Sequence, residues 1–197
     1  TAQISALTTD QLIDLSTAQV AALTTAQVAV IAAADLAEME TEDIAVLSAS
    51  VIAKLGTAQI AALTTDQLMA LTTKQAAVLT STQVAVIASD DFAVLETADI
   101  AVLSTAVIAN LTTAQIVGLT TDQLAALSTK QTVALTTVQI DVLTTDQLVG
   151  LSTTQAAALT SKQVTAIASD DLAVMDAEDI AAFSTAAISK LSTDQIS

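Results

Sequence analysis

The sequence predicts an all-α fold, a solenoid of very short helices with one helix in each eight-residue unit. Three observations predict it: an uninterrupted repeat of eight residues, two apolar positions three residues apart, and a polar pair typical of helix N-termini. Self-similarity at a fixed period is the signature of arrays whose units stack on their neighbours. We therefore expect each unit to be a structural building block.

The repeat covers the 197 residues as 24 octads and a five-residue stub, with no insertion. Its first rows read TAQISALT, TDQLIDLS and TAQVAALT, and its eight positions are called columns one to eight below. The consensus is Thr, any residue, Gln, Ile/Leu/Val, usually Ala, any residue, Leu, and Ser or Thr. We expect one array over 1–197, excised from a longer protein because it starts in mid-pattern.

Columns four and seven carry the large apolar side chains. A spacing of three residues places both on one face of a helix, whereas in a strand it would send them to opposite faces. The helix is therefore favoured, with a packing pair in every octad. Representative pairs are Ile4 and Leu7, Ile60 and Leu63, and Ile116 and Leu119.

Column eight of one octad and column three of the next form the pattern S/T-x-x-Q. This is a capping box, in which two polar side chains satisfy the free amides at a helix N-terminus. Representative pairs are Thr8 with Gln11, Thr64 with Gln67, and Thr120 with Gln123. We therefore expect a new helix of about seven residues in each octad. Such helices are too short to be stable alone, so stability must come from packing between octads.

Two other folds compete with this prediction. In one continuous helix the apolar pair would rotate by roughly 80° per octad, so no fixed packing face would survive. A β-solenoid stays open as an alternative, because octads with threonine ladders can also coil. It would favour Gly, Asn or Asp at its corners, and the three glycines, Gly56, Gly118 and Gly150, are scattered.

A longer repeat lies above the octad. Super-repeats span about 1–56, 57–112 and 113–197, and the last contains an inserted duplication of three octads near 137–160. Insertions of whole units are tolerated where each unit contacts mainly its near neighbours. The size of the insertion suggests three octads in one superhelical turn.

Composition excludes several classes of function. The chain has no Cys or His and a net charge of −16, and its five basic residues are all lysines. These features argue against thiolate or imidazole metal sites, nucleophile-base pairs, nucleic-acid binding and anionic membranes. No run approaches the roughly 20 apolar residues of a membrane span. We expect no catalytic site and no resident cofactor.

Three acidic windows, 35–43, 90–99 and 170–179, hold most of the 21 acidic residues. The simplest interpretation is that Asp replaces Gln in the capping box while the other carboxylates are solvated. A second hypothesis is calcium binding, because hard cations take several carboxylate ligands. Its candidate ligands are Asp90, Asp91, Glu96, Asp99, Asp170, Asp171, Asp176, Glu178 and Asp179.

The octad after each acidic window has an apolar third column, occupied by Val51, Val107 or Ala187. We expect these side chains to lie where a buried amide would be unsatisfied. A patch for a partner protein is the alternative. Column two varies freely between Asp, Lys and small residues, which is typical of a solvent-facing position.

The octads TAQIAALT at 57–64 and TDQLAALS at 121–128 resemble the low-complexity tracts of large repetitive bacterial surface or secreted proteins, including adhesin-like ones. The resemblance covers the whole chain and implies an elongated extracellular segment. We expect a non-enzymatic spacer or stalk whose octads contact each other, with homotypic end-to-end or lateral association as a further expectation. The alternatives are a calcium-binding or partner-binding adhesin module and a threonine array that binds ice or another ordered surface.

Overall fold

The computed structural model describes residues 4–196, and every regular element in that range is helical. It contains 23 α-helices of four to six residues, a 3-10 turn at each end, and no strand. The predicted all-α solenoid is therefore confirmed, and the β-solenoid alternative is wrong. The helices are shorter than the expected seven residues, because column seven can take an extended conformation as well as column eight: Leu63 has φ −58° and ψ 135°, and Ser16 has φ −69° and ψ 153°.

The chain divides into two compact units, residues 1–103 and 104–197. A 3-10 turn at Ile4–Ala6 begins the described part of the first unit. Its helices are α1 (Thr9–Ile13), α2 (Thr17–Ala21), α3 (Thr25–Val28), α4 (Ala33–Ala37), α5 (Thr41–Val46), α6 (Ala49–Ile52), α7 (Thr57–Ala62), α8 (Thr65–Met69), α9 (Thr73–Ala76), α10 (Ser81–Val84), α11 (Ser89–Ala93) and α12 (Thr97–Ala101).

The second unit has the same construction. Its helices are α13 (Thr105–Ala109), α14 (Thr113–Gly118), α15 (Thr121–Ala125), α16 (Thr129–Ala134), α17 (Thr137–Asp141), α18 (Thr145–Val149), α19 (Thr153–Ala158), α20 (Ser161–Val164), α21 (Ser169–Leu172), α22 (Ala177–Ala182) and α23 (Thr185–Ile188). A 3-10 turn at Thr193–Gln195 follows them.

Within each unit, a helix packs against the helix three octads further along. In the first unit α4 contacts α7 and α7 contacts α10, and in the second α13 contacts α16 and α16 contacts α19. Each turn of the solenoid therefore contains three octads, as the size of the inserted duplication suggests. The octads of successive turns stack directly on one another.

Columns four and seven form the core of each unit. Ile60 and Leu63 are 1% and 5% exposed, and Ile116 and Leu119 are 0% and 3% exposed. Burying one such side chain contributes about 1.5–3 kcal/mol, whereas an isolated helix of one turn is unstable in water. Packing between turns therefore stabilises the helices. Ile4 and Leu7, at the beginning of the described residues, are only half-buried.

The corners between helices do not depend on glycine. Among residues 4–196 no residue has a positive φ. Gly56 itself takes φ −69° and ψ 157°, an extended conformation open to any residue. The repeat can therefore turn a corner every eight residues with Ser or Thr in column eight.

Column two faces solvent as predicted, with exposed charges such as Asp10, Asp66, Lys74 and Lys130. Across residues 4–196, none of the helices combines the length and apolar character that crossing a membrane requires.

Candidate functional site in the third column

Column three holds the polar side chains that connect successive turns. In the first unit Gln75 is 1% exposed, and its Nε2 donates hydrogen bonds of 2.8 Å to the carbonyl oxygens of both Ile44 and Leu47. These carbonyls lie 31 and 28 residues earlier in the chain, on the preceding turn. The same pair of bonds is made by Gln59, Gln67 and Gln83.

The second unit repeats this arrangement with the same spacing. Gln139 Nε2 donates to Ile108 O at 2.8 Å and to Leu111 O at 2.9 Å. Equivalent bonds are made by Gln147, Gln155 and Gln163. Each of these amides therefore bonds to two main-chain carbonyls of the neighbouring turn, of which the column-four carbonyl also accepts from the column-seven amide of its own octad, as Ile44 O does from Leu47 N at 3.3 Å.

The other end of each glutamine side chain caps its own helix. At α8 the Thr64 hydroxyl accepts from Gln67 N at 3.2 Å, and Gln67 Oε1 accepts from Thr64 N at 3.0 Å. The predicted pairs at α1 and α15 have the same geometry, with Thr8 and Gln11 and with Thr120 and Gln123. One side chain thus performs two tasks, a local cap through its oxygen and a connection between turns through its nitrogen.

The first turn makes only the local half of this contact. Gln11 and Gln19 cap α1 and α2 but are exposed, and no hydrogen bond to a carbonyl 28 or 31 residues earlier is available to them. Among the described residues, the first glutamine that connects two turns is Gln59, which reaches Val28 and Ile31.

Apolar residues replace glutamine at three positions. Val51, Val107 and Ala187 are 2%, 1% and 0% exposed, which confirms the predicted burial at a contact between octads. The cap survives in each case, because the hydroxyl of Ser48, Ser104 or Ser184 still accepts a hydrogen bond from the main-chain N–H of the column-three residue. This burial argues against a patch for a partner protein at these three side chains.

Aspartate replaces glutamine twice in each acidic window, and the two aspartates differ. The first is half-buried and accepts a hydrogen bond from the hydroxyl of a column-one threonine 26 residues earlier. The three bonds join Thr9 to Asp35 at 2.6 Å, Thr65 to Asp91 at 2.5 Å, and Thr145 to Asp171 at 2.6 Å. These carboxylates therefore also connect two turns, as acceptors.

The second aspartate of each pair is buried: Asp43, Asp99 and Asp179 are 4%, 2% and 4% exposed. Neither carboxylate oxygen of Asp99 has a hydrogen-bond partner. Burial raises the pKa of Asp99, the adjacent Thr73 hydroxyl lowers it by a smaller amount, and the charge of Glu96 raises it again. Burial also raises the pKa of Asp43, with smaller contributions from the charges of Glu40 and Glu42.

The calcium candidates do not converge on one point. Asp90, Glu96, Asp170, Asp176 and Glu178 are exposed, whereas Asp91 and Asp171 are bonded to threonines of the preceding turn. Within residues 4–196 no three acidic side chains lie close enough together to hold a metal ion. Asp176, Glu178 and Asp179 do border an open cleft of about 600 Å³ with Ser152 and Thr153 of the preceding turn.

The sequence contained a signal for the connection between turns that capping alone does not explain. Glu serves in a capping box as well as Gln does, yet no octad has Glu in column three. Only Gln carries a donor at the end of that side chain. We therefore attribute the absence of Glu to the need for a donor, the Nε2 group, that can bond to the two carbonyls of the preceding turn.

Short capped helices, an apolar stack and a glutamine connection between turns define the class of this molecule: it is an α-helical repeat protein of the solenoid type. The ALTTAQ repeat matches residues 36–73, 92–129 and 121–153, which together cover just over half of the chain. The chain belongs to the ALTTAQ repeat family. No curated protein matches it.

Proposed function

We propose that this chain is a non-enzymatic spacer, an elongated repeat region that separates other parts of a bacterial surface or secreted protein. The observation that carries the proposal is the recurrence of one contact, Gln Nε2 to carbonyls 28 and 31 residues earlier, in both units. A contact that repeats with the chain lets a repeat array lengthen by adding octads, without any new kind of packing.

The surface chemistry supports the same proposal. Columns one and two are largely exposed and carry hydroxyls, small residues and charges, and the net charge is −16. A strongly acidic surface keeps a long molecule solvated and limits non-specific association. The family match supports a structural repeat.

The proposed location outside the cell rests on the resemblance of the octads to repetitive bacterial surface proteins. A chain without cysteine is compatible with that location, because its stability depends on stacking and not on disulfides. Expression of the complete parent protein in its own host, followed by protease treatment of whole cells, tests the location. Cleavage of the octads on intact cells is expected, and full protection until lysis would contradict it.

Small-angle X-ray scattering tests the spacer with a length series. The chain is compared with one variant that lacks residues 137–160 and another in which these three octads are duplicated. In a rod, length is proportional to residue number, so each change should alter the radius of gyration by about 12%. A compact particle follows a weak power of chain length and would change by only about 4%. Radii that follow the compact law would overturn the spacer proposal.

Homotypic association is a second part of the proposal, because repeated octads present the same surfaces at regular intervals. Sedimentation velocity over a hundredfold range of protein concentration tests it. A sedimentation coefficient that rises with concentration supports association, and a constant monomer value removes this part while leaving the spacer intact.

A further inference from the structure

One buried acidic group in the first unit has the Thr73 hydroxyl beside it but makes no hydrogen bond of normal geometry. Asp99 in α12 is 2% exposed, and both of its carboxylate oxygens lack a hydrogen bond. Burying a carboxylate without a compensating charge or donor costs several kcal/mol. The acidic window therefore contains more than a solvated face.

The glutamines of the same column show what lies opposite such a side chain. Gln75 Nε2 is 2.8 Å from two main-chain oxygens, and Gln83 Nε2 is 2.8 and 3.0 Å from its pair. The amide group, which is the positive end of the side chain, thus lies between two carbonyls of the preceding turn. Counting back the same 31 and 28 residues from Asp99 reaches Leu68 and Leu71.

Aspartate is one methylene shorter than glutamine and ends in two acceptors. From the spacing of the glutamine contacts we expect the Asp99 carboxylate to face the carbonyl oxygens of Leu68 and Leu71, so that three oxygen acceptors meet where neighbouring octads place an amide nitrogen. The Thr73 hydroxyl lies beside this carboxylate, and α9, which carries Thr73, packs against α12. Glu96 adds a second negative charge nearby.

We propose that Asp99 binds a calcium ion together with the carbonyl oxygens of Leu68 and Leu71, with the Thr73 hydroxyl beside it. Calcium binds to one or both oxygens of a carboxylate and to main-chain carbonyl oxygens, at about 2.3–2.6 Å. It also tolerates irregular coordination geometry. Three convergent acids are not required, because the main chain of the preceding turn supplies the other oxygens. The ion takes the place of the glutamine amide as the connection between turns.

The charge of the site sets the expected affinity. With one buried and one nearby carboxylate, binding falls in the range of weak extracellular calcium modules, with Kd about 10⁻⁴–10⁻³ M. The negative field of the whole chain raises the local cation concentration without selecting this position. The test must therefore separate the site from general screening.

Carbon-13 NMR of the full chain, labelled at the aspartate side-chain carboxyl, reads the site directly. The Asp99 resonance is identified by its loss in Asp99→Gln, and that of exposed Asp66 by its loss in Asp66→Asn. At constant ionic strength, calcium up to about 10 mM should shift the Asp99 resonance to saturation. The Asp66 resonance should drift weakly and without saturation.

Thermal unfolding provides a second measurement on the same proteins. Asp99→Gln should fold, because Gln occupies this column in most octads. Calcium should raise the Tm of the unaltered chain by about 2–4 °C more than sodium chloride of equal ionic strength. Asp66→Asn should keep this difference, and Asp99→Gln should lose most of it.

Three results would overturn the proposal. The first is an Asp99 resonance that moves no more than that of Asp66. The second is a calcium effect on Tm that is equal in Asp99→Gln and Asp66→Asn, which would identify screening. The third is an Asp99 resonance that responds to acid but not to calcium, which would identify a proton as the neutralising partner.

Discussion

Helices α9 and α12 pack against each other in the first unit, yet their third columns differ in chemistry. Gln75 in α9 satisfies two carbonyls of the preceding turn and caps its own helix, while Asp99 in α12 does neither. Both side chains are almost fully buried. The difference shows that column three is primarily a contact between turns, and that capping is the part visible in the local sequence.

A second comparison separates the two tasks of the glutamine. Gln11 makes the capping bond and is exposed, whereas Gln75 makes the cap and both connecting bonds. Substitutions at these two positions therefore differ only in what is lost between turns. Matched substitutions at such pairs of positions separate the two tasks, and urea unfolding followed by circular dichroism measures the free energy of unfolding of each variant.

The largest effect is expected in the apolar columns that hold the turns together. Ile60→Ala should lower the free energy of unfolding by about 3 kcal/mol, because it leaves a cavity between stacked octads. Ile4→Ala, at the half-buried start of the array, should cost less than half as much. Equal losses at both positions would mean that stacking does not dominate stability.

Gln75→Glu should be next in size. The change keeps the capping oxygen but places a carboxylate against Ile44 O and Leu47 O, at a cost of about 2–3 kcal/mol near neutral pH. Burial raises the pKa of the introduced carboxyl in the folded state above its value in the unfolded chain. The variant should therefore keep its stability at pH values below the unfolded-state pKa and lose it as pH rises through the folded-state pKa. Gln11→Glu should be nearly neutral, and a comparable loss there would contradict the two-task assignment.

Asp43→Gln should stabilise the protein by about 1–2 kcal/mol at neutral pH, since Gln can bond to the preceding turn as its counterparts do. The folded-state pKa of Asp43 is raised, so its carboxyl favours folding at low pH and ceases to do so as pH rises through that value. The advantage of the variant should therefore grow with increasing pH. A gain that is independent of pH would show that Asp43 does not titrate as its burial implies.

The smallest expected effect concerns the helices that lack a cap. Ala88 precedes α11 without a side-chain hydrogen bond, so Ala88→Ser should add about 1 kcal/mol. Thr64→Ala, which removes a cap that is present at α8, should cost a similar amount. If Ala88→Ser has no effect while Thr64→Ala is costly, Asp90 and Asp91 already compensate for the missing cap through the N-terminal charge of α11.

The sequence predicted the fold class, the helix starts and the core. The pair Ile60 and Leu63 identified the buried face, and the pair Thr64 and Gln67 identified where α8 begins. Both patterns depend on residues three apart, which a single helical turn brings together. The arrangement of the calcium candidates was less predictable, because whether such carboxylates lie close together depends on which turns face each other.

The partners of column three could not be identified from local patterns. Gln75 reaches Ile44 and Leu47, 31 and 28 residues away, and Asp91 reaches Thr65, 26 residues away. These separations exceed the 24 residues of three octads because different columns meet across the contact, and that offset is set by how the apolar columns of successive turns pack. No short-range hydrogen bond or propensity encodes that offset.

Short capped helices with one apolar face could be derived from the residues alone, because capping and periodicity act within a few residues. The role of Gln as a connection between turns, and the burial of the Asp99 carboxylate, depend on tertiary packing. Burial and hydrogen bonding of the third column depend on the turn that lies against it. Which turn lies there is determined by the packing of successive turns in the solenoid.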